Sequence, residues 1–104
     1  VTPGSQDVFL QAVREGLVET LTVAGAMVTH STCGPCMGVH LGLLAPGEVC
    51  ITASTRNFKG RMGSSDAEVY LGSSGTVAAS AVAGFIADPR PYADAVATAL
   101  RKVA

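Results

Sequence analysis

The sequence has 104 residues, enough for one domain and one core and too few for two. It is 48% hydrophobic and 14% charged, against roughly 25% charged residues in a typical soluble domain; the net charge is −1. The near-neutral balance, with no basic run, excludes a nucleic-acid footprint. No apolar run approaches the ~20 residues of a membrane-spanning helix, and the N-terminus has no signal-peptide pattern.

So few charges among so many Ala, Val and Gly residues indicate a surface largely covered by other protein. The chain therefore reads as a single α/β domain over 1–104, or as a fragment of a larger subunit. Three cysteines are an odd set for a disulfide framework. They fit a reducing compartment, the cytoplasm, with metal or redox chemistry at the closely spaced pair.

Thr2-Pro3-Gly4-Ser5 is turn chemistry, and Ser5 can cap a following helix, with Asp7 favourable in its first turn. Val8, Phe9, Ala12 and Val13 recur at helical spacing, and Gly16 ends that segment. Residues 17–24 read as a second short helix stopped by Gly25, and the apolar run 26–29 as a buried strand. That strand delivers the chain into His30-Ser31-Thr32-Cys33-Gly34-Pro35-Cys36-Met37-Gly38. A weak, glycine-rich helix is expected over 37–44, and Pro46-Gly47 is a turn.

Residues 49–53 read as another buried strand, which delivers the loop Thr55-Arg56-Asn57-Phe58-Lys59-Gly60-Arg61. A third strand is expected over 68–71, then a helix over 76–87 started by Ser73-Ser74-Gly75 and broken by Asp88-Pro89-Arg90-Pro91. A last helix over 92–103 would carry Val96, Ala99, Leu100 and Val103 on one face, with Arg101 and Lys102 in its last turn. Short strands alternating with helices predict a layered α/β domain, a short and mostly parallel sheet flanked by helices. Loops leaving the carboxyl ends of such strands converge on one edge, where ligands bind.

Cys33 and Cys36 support more than one chemistry. Cys-Gly-Pro-Cys is the thioredoxin active-site tetrapeptide, which needs a low-pKa thiolate at a helix N-terminus and a resolving thiol one turn on. The context differs from that fold. Thr32 stands where an aromatic precedes the first cysteine, and Gly38, Gly42 and Pro46 prevent a long helix after the second. The alternative is ligation of an iron–sulfur cluster by two thiolates from one tight loop. Zinc accepts two thiolates as well, but a closed structural site needs four ligands.

Only Cys50, His30 and His40 remain to complete such a set. Cys50 lies in an apolar run and reads as a buried structural thiol, while His30 and His40 read as packing or hydrogen-bonding residues. A metal centre here is short of ligands from this chain. Arg56 and Arg61 share one glycine-containing loop. Paired guanidinium forks suit a substrate with two carboxylates; from spacing alone, two arginines in ordinary surface ion pairs fit better.

The blocks Thr32-Cys33-Gly34-Pro35-Cys36-Met37-Gly38, Pro46-Gly47-Glu48, Arg56-Asn57-Phe58-Lys59-Gly60-Arg61-Met62-Gly63 and Ala78-Ala79-Ser80-Ala81-Val82-Ala83-Gly84 occur in this order and spacing in one family. The chain resembles the large subunit of 3-isopropylmalate dehydratase and homoaconitase, within the aconitase superfamily, from Val1 to about Arg90. The most specific part is the Arg-Asn-Phe-x-Gly-Arg block downstream of a Cys-x-x-Cys pair.

The resemblance implies the C-terminal part of an iron–sulfur subunit with the fold of that domain, in a [4Fe–4S] hydro-lyase. Cys33 and Cys36 match two of the three cluster ligands; the third cysteine lies upstream, outside this sequence. One iron is then left open to act as a Lewis acid. Arg56 and Arg61 match substrate-site arginines. The implied partners are the remainder of the large subunit and the small subunit with its swivelling domain, which carries the serine base, so no residue here is catalytic.

The implied substrate is a small hydroxylated di- or tricarboxylic acid, in leucine biosynthesis or, for homoaconitate, lysine biosynthesis. The chain alone is expected to be inactive. One departure is Thr55, where the family usually has Asn, which alters hydrogen bonding around the site.

Overall fold

The structure is a computed structural model and describes residues 1–39, 41–95, 97 and 98. The chain divides into two compact units, Val1–Leu43 and Leu44–Ala104, each of which supplies one of the two candidate loops.

The first unit is a pair of short helices, α1 (Gln6–Arg14) and α2 (Leu17–Val23), leading to the cysteine loop. Ser5 caps α1 as expected: its Oγ accepts from the Val8 N–H at 3.2 Å, and Asp7 sits in the first turn where it favours the helix dipole. Gly16 turns the chain between the helices at φ 73°, and Gly25 ends α2 at φ 86°. Each takes a left-handed conformation that a side chain would resist.

The expected strand over 26–29 is not formed. Residues 26–30 have no ladder partner, and their contact is with the chain's first residues. The Thr29 N–H donates to the Val1 carbonyl at 3.0 Å, and the Thr29 and Thr2 hydroxyls bond at 3.0 Å. A four-residue apolar run is too short to fix its own secondary structure, and here a single crossing replaces a ladder.

The second unit is built on a two-stranded parallel sheet, β1 (Val49–Thr52) and β2 (Glu68–Leu71), in register from Val49↔Glu68 to Thr52↔Leu71. The chain is thus α/β with a parallel sheet, and two of the three expected strands form. The first was expected to be buried, yet Val49 is 59% exposed, and Leu71 in the second is 56% exposed. Two strands with one packed helix leave too much edge and face uncovered to bury them.

The connection between the strands is the arginine loop rather than a helix. Its far end is tied down by a parallel bridge between Leu44 and Gly63: the Leu44 N–H donates to the Met62 carbonyl at 2.7 Å, and the Ser64 N–H to the Leu44 carbonyl at 3.0 Å. After β2 the chain turns at Gly72, where a Cβ would stand 3.0 Å from Ile51 Cδ1. The close approach lets α3 (Ser74–Ala83) fold back against β1.

Ser73 caps α3 by accepting from the Thr76 N–H at 3.1 Å, and Gly84 closes it at φ 81°. The helix therefore ends before 87, the expected boundary. The buried Ser80 bridges past that end, donating to the Thr76 carbonyl at 2.6 Å and accepting from the Ala87 N–H at 3.0 Å.

The core of this unit is small: Met62, Ala67 and Ala79 are its buried apolar residues among those described. An apolar groove of about 390 Å³ runs between β1 and α3, lined by Val49, Ile51, Val77 and Phe85. A short 3₁₀ helix, Arg90–Tyr92, follows the proline-rich break, and residues 93–95, 97 and 98 are helical. The expected apolar face at Val96, Ala99, Leu100 and Val103, and the basic pair Arg101 and Lys102, lie outside the described residues, as does His40. No helix among the described residues is long and apolar enough to cross a membrane.

Candidate functional site

Cys33 and Cys36 stand on a single 3₁₀ turn, Gly34–Met37, with Cys33 as its N-cap. The Cys36 N–H donates to the Cys33 carbonyl at 3.2 Å, which closes the turn. Residues three apart eclipse in 3₁₀ geometry, so the two cysteines rise from the same side. Pro35 fixes φ near the start of the turn. Gly38, at φ 65°, ends it, its N–H donating to the Pro35 carbonyl at 3.2 Å.

Gly34 is buried at φ 54°, and a Cβ there would meet Thr2 Oγ1 at 2.8 Å. The turn is therefore seated on Thr2, whose hydroxyl also bonds Thr29. The Thr32 hydroxyl steadies the entry by accepting from the Gly34 N–H at 3.3 Å.

The helix expected over 37–44 does not form in the described part of that segment. Gly38 and Gly42 both take positive φ, 65° and 66°, which breaks a right-handed helix after Met37. A dithiol site of the thioredoxin kind depends on that missing helix.

Cys33 is exposed and Cys36 half-buried. Among the described residues no three of His, Cys, Asp and Glu come together as a metal-binding group. The turn thus offers two thiolates on one side and leaves the remaining positions of any cluster to other segments. The donor set suits an iron–sulfur cluster held jointly, and does not suit a closed zinc site. His30 is engaged otherwise, with its ring against Phe9 at 4.8 Å between centroids. Cys50 lies in β1 opposite Val69, where burial pushes its thiol pKa up, in keeping with a structural thiol.

The arginine loop follows β1 directly. Ser54 begins it, its N–H donating to Thr52 Oγ1 at 3.2 Å. Asn57 is buried at 8% exposure: its Nδ2 donates to Met62 Sδ at 3.2 Å, and its Oδ1 accepts from the Phe58 N–H at 3.0 Å. A turn closes from the Arg61 N–H to the Phe58 carbonyl at 3.2 Å, with Gly60 at φ 85°.

These bonds bring both arginines to one place. The Arg56 and Arg61 guanidinium carbons lie 5.8 and 5.7 Å from the centre of the Phe58 ring. Arg61 Nη1 also donates to the Arg56 carbonyl at 2.6 Å. The ion pair found among the described residues joins Arg90 to Asp88 and involves neither of them. Thr55 is exposed at the rim of this loop.

The sequence pointed to the cysteines and arginines but not to what holds them. Thr2 beneath Gly34 is a contact across about thirty positions that no local pattern announces. The place of Phe58 between the two arginines does leave a local trace, the pattern Arg-x-Phe-x-x-Arg.

Comparison with known proteins adds the lineage. The sequence model of the aconitase family (aconitate hydratase) matches residues 1–84. The chain is 59% identical over 90 residues to a 3-isopropylmalate dehydratase large subunit of Mycolicibacterium smegmatis, covering 86% of this chain and 21% of that protein. It is 55% identical over 92 residues to 3-isopropylmalate dehydratase large subunit 2 of Archaeoglobus fulgidus, covering 88% of this chain and 22% of that protein. A 3-isopropylmalate dehydratase large subunit of Caldivirga maquilingensis is 52% identical over 92 residues, with the same coverage of 88% and 22%. The chain spans about a fifth of the length of these curated relatives.

Proposed function

The chain belongs to the aconitase family, and on that premise we propose that it serves a hydro-lyase of the 3-isopropylmalate dehydratase type. It contributes two cluster-ligating cysteines, Cys33 and Cys36, and a carboxylate-binding pair, Arg56 and Arg61. The observation that carries this reading is the arginine loop. Two guanidiniums are gathered around one ring with no carboxylate of the described residues paired to them. Uncompensated paired forks are the arrangement that takes a carboxylate ligand.

Arg56 and Arg61 bind and orient a hydroxylated di- or tricarboxylic acid. They also favour the negative charge that builds on the carboxylate as a proton leaves the neighbouring carbon. Cys33 and Cys36 would supply two of the thiolate ligands of a [4Fe–4S] cluster, with the third cysteine coming from outside this chain. Lewis acidity toward the departing hydroxyl is the chemistry such a cluster supplies when bound. No residue of this chain serves as the base; that group comes from the small subunit.

The relatives named above support leucine biosynthesis as the setting. The remainder of a large subunit is the first partner. Exposed apolar side chains support this: Phe85 at 70% and Val49 at 59% line the groove of the second unit, a surface suited to cover by further protein.

The test is reversible dehydration of 2- or 3-isopropylmalate by the anaerobically purified native protein with its small subunit, followed by the ultraviolet absorbance of the conjugated alkene. Absorbance that grows with isopropylmalate and is lost on oxidation of the protein is expected. Turnover undiminished by air would overturn the cluster-dependent reading, and absence of turnover would overturn the substrate.

A further inference from the structure

We infer that Phe58 is a positioning residue whose ring gathers the Arg56 and Arg61 guanidiniums into one carboxylate-binding pair. The inference deepens the proposed function and rests on its carboxylate role for the two arginines.

Two like charges on long, flexible side chains repel and spread apart unless something holds them. Here two things do. The negative face of the Phe58 ring attracts each guanidinium, at 5.8 and 5.7 Å from its centre, inside the ~6 Å reach of a cation–π contact. The Arg56 carbonyl accepts one Arg61 N–H at 2.6 Å, which ties the second arm to the backbone of the first.

The backbone that carries the ring is fixed at both its polar groups. Asn57, buried at 8% exposure, accepts from the Phe58 N–H, and the Phe58 carbonyl accepts from the Arg61 N–H. Phe58 is 49% exposed, so the ring gains only part of the stability that burial would give a phenyl group. Its use lies in what it holds. The Arg56 guanidinium has no hydrogen-bond partner among the described residues, and Arg61 spends only Nη1. Most donors of the pair stay available to an incoming carboxylate, because an aromatic face holds a guanidinium without consuming its N–H groups.

The experiment follows the arginine Nε–Hε resonances of the full chain by NMR in wild type, Phe58→Leu and Phe58→Tyr, with malate as the titrant. Leu keeps most of the bulk and loses the π face; Tyr keeps both. In Phe58→Leu the ring-current displacement of both arginine signals should vanish and malate should bind about fivefold more weakly. In Phe58→Tyr the displacement should persist, with affinity within about twofold of wild type. The backbone signals of Asn57 and Met62 should hold in all three, which separates positioning from a folding defect.

Unmoved arginine signals in Phe58→Leu would overturn the inference, as would equal weakening by Tyr and Leu. A wild type that shows ring-shifted arginines yet does not respond to malate would overturn the carboxylate reading instead. The ring-current comparison would still decide the role of Phe58.

Discussion

The cysteine turn and the arginine loop are both short glycine-containing loops, yet they are organised differently. The cysteine turn is shaped by backbone: a 3₁₀ hydrogen bond, a proline, two left-handed glycines and a seat on Thr2. Among the described residues no three of His, Cys, Asp and Glu gather there as a metal-binding group. The arginine loop is shaped by side chains: Asn57 against Met62, Phe58 between two guanidiniums, and Arg61 back onto Arg56.

The difference fits the ligands proposed for each. A cluster draws ligands from several segments, so one segment need only present its share at a fixed angle. A carboxylate is gripped by a few donors, and one loop can supply them once they are gathered.

The sharpest way to break this comparison is Arg61→Lys. It keeps the charge and removes the fork, so turnover of the assembled enzyme should fall about a hundredfold, with thermal stability nearly unchanged because the side chain is not part of the core. Unchanged turnover would mean that the loop does not grip substrate.

Gly34→Ala probes the backbone-built turn. A Cβ at φ 54° is strained and would press on Thr2 Oγ1 at 2.8 Å. The cost is about 2 kcal/mol of stability, measured by urea denaturation. Adding Thr2→Ala should recover part of it by removing the clash while the φ penalty remains. No recovery would show that Thr2 is not the seat.

The smallest effect concerns Cys50, the thiol outside the turn. Burial raises its pKa in the folded state, so the unfolded chain gives up this proton first as pH rises past the ordinary thiol value of 9.0. The stability tied to the protonated thiol is fully present below that pH and is lost as pH climbs through the folded-state value. Denaturation midpoints measured above pH 9.0 should therefore fall less steeply in Cys50→Ala than in wild type. Cys50 should also alkylate more slowly than the exposed Cys33.

Much of this architecture was legible from local chemistry. Ser5 announced a cap and Gly16 and Gly25 announced breaks, because capping and left-handed turns depend on single residues. The runs at 49–52 and 68–71 announced strands through their apolar, β-branched character. The run at 26–29 looked the same, but strand formation needs a partner, and sequence does not say where one will be. The segment after Cys36 was expected as a weak, glycine-rich helix, and two of those glycines took left-handed conformations instead. At the candidate site, residue types singled out Cys33, Cys36, Arg56 and Arg61 and suggested a chemistry for each. Thr2 beneath Gly34 and the ring contacts of Phe58 depend on side-chain placement in space, which spacing alone does not encode.

The most direct test of the joint-ligand account is iron and acid-labile sulfide per polypeptide in the anaerobically purified native protein, wild type against Cys33→Ser. Wild type should carry about four irons per polypeptide, as a [4Fe–4S] centre requires, and the variant should be colourless and nearly iron-free. A brown Cys33→Ser protein with iron and sulfide undiminished would contradict the assignment of the turn as a cluster ligand.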